Sequence, residues 1–175
     1  MANQAFDVGQ ILEEIERAFD GVARDEGITL HETVEIDRCS GERQLAKARR
    51  LDTDKRWKDV PETDIERFPS ALCFMDATGF RYYIPAYMSW TLRSHRTSDS
   101  ETTDNTISAF ESDPLHRDKR YSLLNDSQRR AVCRFLKYFA GNEDDLDRAY
   151  WAGIALRMGW GDYYKETNAV GELND

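Results

Sequence analysis

Apolar positions near the start of the chain recur at helical spacing. Val8, Ile11, Leu12, Ile15, Ala18, Phe19 and Val22 fall three and four apart, with Glu13, Glu14, Glu16 and Arg17 between them. That is the pattern of an amphipathic helix with one face turned to a core. The next stretch, ITLHETVEID, admits two readings. Ile28, Leu30, Val34 and Ile36 alternate as in a strand, whereas Thr29 and Glu32 have the capping-box spacing that opens a helix. The short helix is the favoured reading. Helical pattern resumes over 44–51 on a thin apolar face, Leu45 and Ala48. After a break at 59–61, Thr63 and Glu66 mark a single helical turn over 61–67.

Periodicity disappears between 68 and 92, where Phe68, Phe74, Phe80, Tyr82, Tyr83, Tyr87 and Trp90 stand in an almost unbroken apolar run. Such a run belongs at the centre of the fold. Residues 71–75 read as a strand buried on both faces and 80–84 as its antiparallel partner. Asp76 and Gly79 supply the turn between them, and Pro85 opens a buried helix over 85–93. The expected fold class is therefore α+β: a mainly helical single domain with a small antiparallel sheet centred on a hairpin at 71–84.

Beyond it, 94–106 is polar and rich in turn formers and reads as a mobile loop. Residues 107–110 suit a short strand, and Asp113-Pro114 a turn. Asn125 caps a helix, with Gln128 three residues on and a stripe of Val132, Phe135, Leu136 and Phe139 ending at Gly141. A last helix over 143–158 is expected to bury Leu146, Ala149, Tyr150, Gly153, Ile154 and Leu156. Trp90 and Phe135 are expected core residues. The domain spans 1–164 and leaves 165–175 as a disordered tail.

At 175 residues the chain has the size of one domain with a core of its own. No apolar run of about 18 residues occurs, so no transmembrane helix is expected. The N-terminus lacks the basic and apolar regions of a signal peptide, which points to the cytoplasm. Cys39, Cys73 and Cys133 form no metal-ligand spacing; Cys73 and Cys133 lie in apolar patterns and read as buried thiols, Cys39 as a surface one.

The net charge of −9 argues against nucleic-acid binding by the molecule as a whole. It is unevenly spread. Residues 42–58 carry seven basic side chains against three acidic ones, and the stretch from Gly141 onward carries eight acidic against three basic. A basic strip on an acidic body can receive an acidic protein partner. Arg43, Lys47, Arg49, Arg50, Arg56 and Trp57 are its candidate contacts.

Phosphate-loop, dinucleotide, metalloprotease, nucleophile-elbow and EF-hand patterns are all missing. The three histidines, His31, His95 and His116, have no second ligand at metal spacing, so no metal or cofactor is expected. The candidate catalytic constellation is Asp76, Arg81, Tyr83 and His95. Asp76 and Arg81 are placed to pair across the turn, and His95, near a helix C-terminus, has its charged form favoured there. Two functions follow: a protein-interaction module of regulatory or immunity type, which the charge pattern favours, and an enzyme with an acid–base site at those four residues.

Asp76, Gly79, Phe80, Arg81 and Tyr83, then Pro85, Ala86, Tyr87 and Met88, then Leu123, Leu124, Asn125, Gln128 and Arg129 stand in an ordered set. In this, the stretch from Trp57 to Ala140 resembles an uncharacterised bacterial family of domain-of-unknown-function type. The resemblance implies no activity.

Overall fold

The computed structural model describes residues 7–112, 119–142 and 144–163. Its regular elements are all helical. Eight α-helices follow one another: α1 (Val8–Ala18), α2 (Leu30–Asp37), α3 (Glu42–Arg49), α4 (Glu62–Arg67), α5 (Ala77–Ser94), α6 (Thr102–Ser108), α7 (Asp126–Ala140) and α8 (Leu146–Arg157). Short 3₁₀ turns lie at Trp57–Asp59, Ala71–Phe74, Lys119–Tyr121 and Trp160–Tyr163. No strand occurs among the described residues, so the α+β expectation with its sheet at 71–84 is wrong.

The reason lies in the four residues read as a hairpin turn. Asp76 is extended (φ −73°, ψ 175°), and its side chain accepts a hydrogen bond from Gly79 N at 2.9 Å. Turn chemistry and N-cap chemistry use the same residues, and here the cap wins. The aromatic run that follows becomes one 18-residue helix with Pro85 inside it. Pro85 has no N–H to give the carbonyl of Arg81, one backbone bond that α5 forgoes. Every residue from 82 to 92 is buried, because α5 is flanked by α1, α4, α6 and three of the 3₁₀ turns. A helix enclosed on all sides shows no amphipathic period, so composition alone made it resemble strands. Ala71–Phe74 form a 3₁₀ turn instead of a strand, and of 107–110 the first two residues close α6 and the rest form the turn after it.

Around α5 the local signals hold. Ile11, Ile15 and Phe19 put the predicted face of α1 into the core. Region 29–38 is helical: Thr29 N donates to the Glu32 carboxylate at 2.8 Å, which fixes the first turn of α2. Asn125 caps α7, with Gln128 N donating to its side chain at 2.9 Å and Asn125 N donating to Gln128 Oε1 at 3.1 Å. Phe135 and Trp90 are buried as expected. A cluster of aromatic rings joins α5 to the C-terminal elements: Trp160 lies edge-on to Phe110 and Tyr121 at 5.2 and 5.0 Å and donates from Nε1 to the Phe110 carbonyl.

Two further expectations change. Cys73 is exposed on its 3₁₀ turn, while Cys133 is buried. The polar stretch read as a loop over 94–106 includes most of α6, whose Thr102, Thr103 and Thr106 are buried. Thr102 Oγ1 anchors it by donating to the Ile65 carbonyl at 3.1 Å, Thr106 Oγ1 bonds back to Thr102 O one turn earlier at 2.6 Å, and Ile107 is buried beside them. The Asp113-Pro114 turn and the 165–175 tail lie outside the described residues.

Candidate functional site

Two links between helices place the site. The link from α1 to α2 runs over the first turn of α5, where Ile28 N donates to Asp76 Oδ1 at 3.0 Å. Asp76 thereby caps α5 and holds that link. This orients the first turn of α2, which carries His31. The link from α3 to the 3₁₀ turn at Trp57 carries Asp52 and Asp54 inward to meet it.

Asp52 is buried and accepts twice from one residue: from His31 N at 3.0 Å and from His31 Nδ1 at 2.8 Å. A carboxylate on Nδ1 fixes both the ring orientation and the tautomer, leaving Nε2 as the nitrogen free for another group. Behind this pair lies a second carboxylate. Asp54 accepts from Arg24 at 3.1 Å and from the Tyr82 hydroxyl at 2.7 Å. Arg24 also donates to Tyr83 Oη and to the Asp52 carbonyl, each at 3.0 Å, and stacks over the Tyr82 ring at 5.7 Å. Burial and then the Asp54 carboxylate push the Tyr82 phenol far up. Burial and the charges of Asp52 and Asp54 do the same to Tyr83. Both phenols therefore stay protonated, Tyr82 as a donor. Groups this enclosed need every partner they have, because a low-dielectric surround magnifies each unpaired charge.

His31 opens onto a groove of about 640 Å³ between α2, α3 and the 67–74 connection. Val34, Ala48, Leu51, Phe68, Pro69 and Phe74 give it apolar walls, and the His31 ring meets Phe68 edge-on at 4.9 Å. Arg38, Lys47 and Arg67 stand on its lining against Glu35 and Asp37, a local excess of positive charge on a chain of net charge −9. The arrangement can hold an apolar group, meet acidic groups at its rim, and offer one imidazole nitrogen at its end. No cluster of three or more His, Cys, Asp or Glu side chains suited to a metal occurs among the described residues.

The four residues proposed as catalytic from the sequence do not converge. Asp76 and His95 flank opposite ends of α5, about 28 Å apart along a helix of that length. No ion pair joins Asp76 to Arg81, whose Nε is buried without a partner. Tyr83 belongs to the Arg24 network. His95 caps α5, donates from Nδ1 to the Thr91 carbonyl at 3.1 Å and packs edge-on against Tyr138 and Phe139. Its pKa is lowered, first by burial, with Arg96 and Arg148 adding to it, where the helix terminus alone led us to expect the charged form. Since the unfolded chain binds the proton more tightly, stability falls as pH drops through the unfolded value near 6.5 and levels off below the folded one. We expect the pH 7 to pH 5 loss of stability in denaturant titrations to be smaller in His95→Gln than in the wild type.

The basic strip is split as well. Trp57 is a core residue whose Nε1 donates to Phe19 O at 2.9 Å. Arg49 is half-buried against Glu32 at 3.0 Å, and Arg56 pairs with Asp59. Arg43, Lys47 and Arg50 are exposed and make no ion pair among the described residues. Sequence reasoning missed His31, Asp52, Arg24 and Asp54. The one signal available was the Asp-Thr-Asp at 52–54 interrupting an otherwise basic stretch; nothing local pairs it with a histidine 21 positions away.

The molecule is thus a helical domain built round one enclosed helix, with a groove at the α2–α3 end. Residues 7–163 match the model of a family described as "Family of unknown function (DUF6714)", and the chain belongs to that family. The match reaches well beyond the 57–140 core of the resemblance seen in the sequence. No curated protein matches the chain, and no solved structure does.

Proposed function

We propose that this chain is a protein-interaction module, regulatory or immunity-type, whose contact edge is the groove together with the exposed face of α3. The observation that supports it is the pairing of apolar walls with cations that make no ion pair among the described residues. Leu51 is 63% exposed at the groove's edge, beside Lys47 and Arg50. A partner that fits presents an apolar side chain flanked by acidic ones. The charge pattern speaks against nucleic acid. No helix among the described residues is long and apolar enough to cross a membrane, and the free thiols suit a reducing cytoplasm.

One observation favours a second reading. The His31–Asp52 pair has the geometry of an oriented general base, and it replaces the Asp76, Arg81, Tyr83 and His95 set as the place to look for acid–base chemistry.

The test is a photo-crosslinking amino acid at Leu51, with the exposed Leu123 as control. Binding predicts one protein adduct at position 51 and none at 123, lost when Lys47 and Arg50 become Glu. Equal adducts at both positions, or none at 51, overturns the reading. Turnover of a metabolite that His31→Ala abolishes would shift the conclusion to the enzyme.

A further inference from the structure

The apolar spacing of residues 146–156 predicts that Leu146 and Tyr150 face the core, and in the structure they do not. Leu146 is 75% exposed, Tyr150 59% and Trp151 46%; α8 instead packs through its small residues Ala152 and Ala155. These three account for most of the large apolar side chains exposed among the described residues, and they share one helix. Apolar residues gathered so on a surface mark a contact.

Its electrostatic setting narrows the occupant. Between α6 and α8 lies a cavity of about 740 Å³ with Asp104, Glu111, Asp145 and Asp147 on its lining and Trp151 at its side. Arg148, the cation lining it, is committed to Asp104 at 2.6 Å and Asp145 at 3.0 Å. Glu111 and Asp147 have no ion pair among the described residues. Burial raises the Glu111 pKa. The complement lies on the same chain. Arg43, Lys47 and Arg50 are spaced i, i+4, i+7 at α3 and its C-cap, so they form one stripe, with Leu51 beside it.

We propose that the occupant of the α8 face is a second copy of this chain, docking its α3 stripe there. Lys47 and Arg50 meet Asp147 and the faces of Tyr150 and Trp151, where a guanidinium or ammonium over an aromatic ring is favoured; Leu51 meets Leu146. The two faces differ, so the contact is head-to-tail and each copy keeps one free face of either kind, an open-ended assembly. The faces of an 8-residue and a 12-residue helix are small beside the roughly 1,200–2,000 Å² of a stable interface, so the contact is weak and is read at high protein concentration. The proposal rests on α3 being a contact edge and names its partner.

Sedimentation velocity of the full chain across a concentration series tests it, with two variants at exposed positions, Lys47→Glu/Arg50→Glu and Asp147→Asn/Trp151→Ala. The wild type is expected to exceed dimer mass as concentration rises. Each variant alone should lose association at least tenfold, since central aromatic and charged contacts dominate such interfaces. An equimolar mixture of the two should give a dimer that grows no further, because one intact pair of faces remains. Circular dichroism checks the fold of each, and Tyr150→Ser replaces the α8 variant if it unfolds. A wild type that stays monomeric, a closed two-fold dimer, or a mixture that stays monomeric overturns the proposal. Monomer sedimentation alongside Leu51 adducts to a different protein sinks self-docking alone; monomer sedimentation with no Leu51 adduct sinks both it and the α3 reading.

Discussion

Replacing Arg24 with alanine is expected to cost the fold about 3 kcal/mol, the lower end of what removing one partner from a buried ion pair costs. The guanidinium serves the Asp54 carboxylate, Tyr83 Oη and the Asp52 carbonyl at once. Asp54 is nearly enclosed (5% side-chain exposure), so its charge would be left with the Tyr82 hydroxyl as its hydrogen-bond donor. The partial exposure of Arg24 itself, 18%, is the reason for choosing the lower end. Urea unfolding of Arg24→Ala, Asp54→Ala and the double variant measures the effect. The double variant should cost clearly less than the sum of the singles, because the second change removes the charge that the first stranded. Additive losses would mean that the pair does not interact as the geometry states.

Gly79→Ala is expected to destabilise by a similar amount, about 3 kcal/mol, the top of the usual range for overpacking. A Cβ at this position would sit 2.4 Å from Ile28 O and 3.1 Å from Ile28 N, both backbone atoms, and 3.0 Å from the Asp76 carboxylate. Gly27 faces it from the other side, its own Cβ position lying 2.5 Å from Gly79 N. Neither side can yield without moving α2 relative to α5, and His31 rides on α2. Thermal unfolding of Gly79→Ala should show the loss, and so should a change in the His31 ring signals by NMR. A variant with an unchanged melting temperature would show that the two backbones are not packed this closely.

The start of α5 shows how much of the molecule could be read from the chain. Asp76 and Gly79 were correctly picked out as a local signal and given the wrong element, because an Asp three residues before a Gly serves a hairpin turn and a helix cap equally well. Length was the better guide: the nearly unbroken apolar run is longer than the 4–8 residues of a typical strand. Where one face of a helix meets solvent, as in α1 and α7, the period was legible, as was the α7 cap, and the buried residues followed. In α8 the period was real, yet it marked the wrong side, since Leu146 and Tyr150 point outward and alanines do the packing. His31 and Asp52 could not be paired in advance. Their contact depends on two links between helices crossing α5, and long-range geometry of that kind leaves no spacing in the sequence. The charge segregation was visible, but its members were not equal. Packing took Trp57, ion pairs took Arg49 and Arg56, and only the structure separates these from Arg43, Lys47 and Arg50.

If the exposed face of α3 meets the partner, its charges govern how fast the two come together. The decisive measurement is the association rate with the protein captured at Leu51, for the wild type and for Arg43→Glu/Lys47→Glu/Arg50→Glu. Exposed charges act mainly on encounter, and their reach shrinks to about 8 Å at 0.15 M salt. The wild-type rate is expected to fall as salt rises, the triple variant to associate at least about tenfold more slowly at low salt, and the two to converge at high salt with the fold intact. Equal rates for the two proteins at low salt would contradict it.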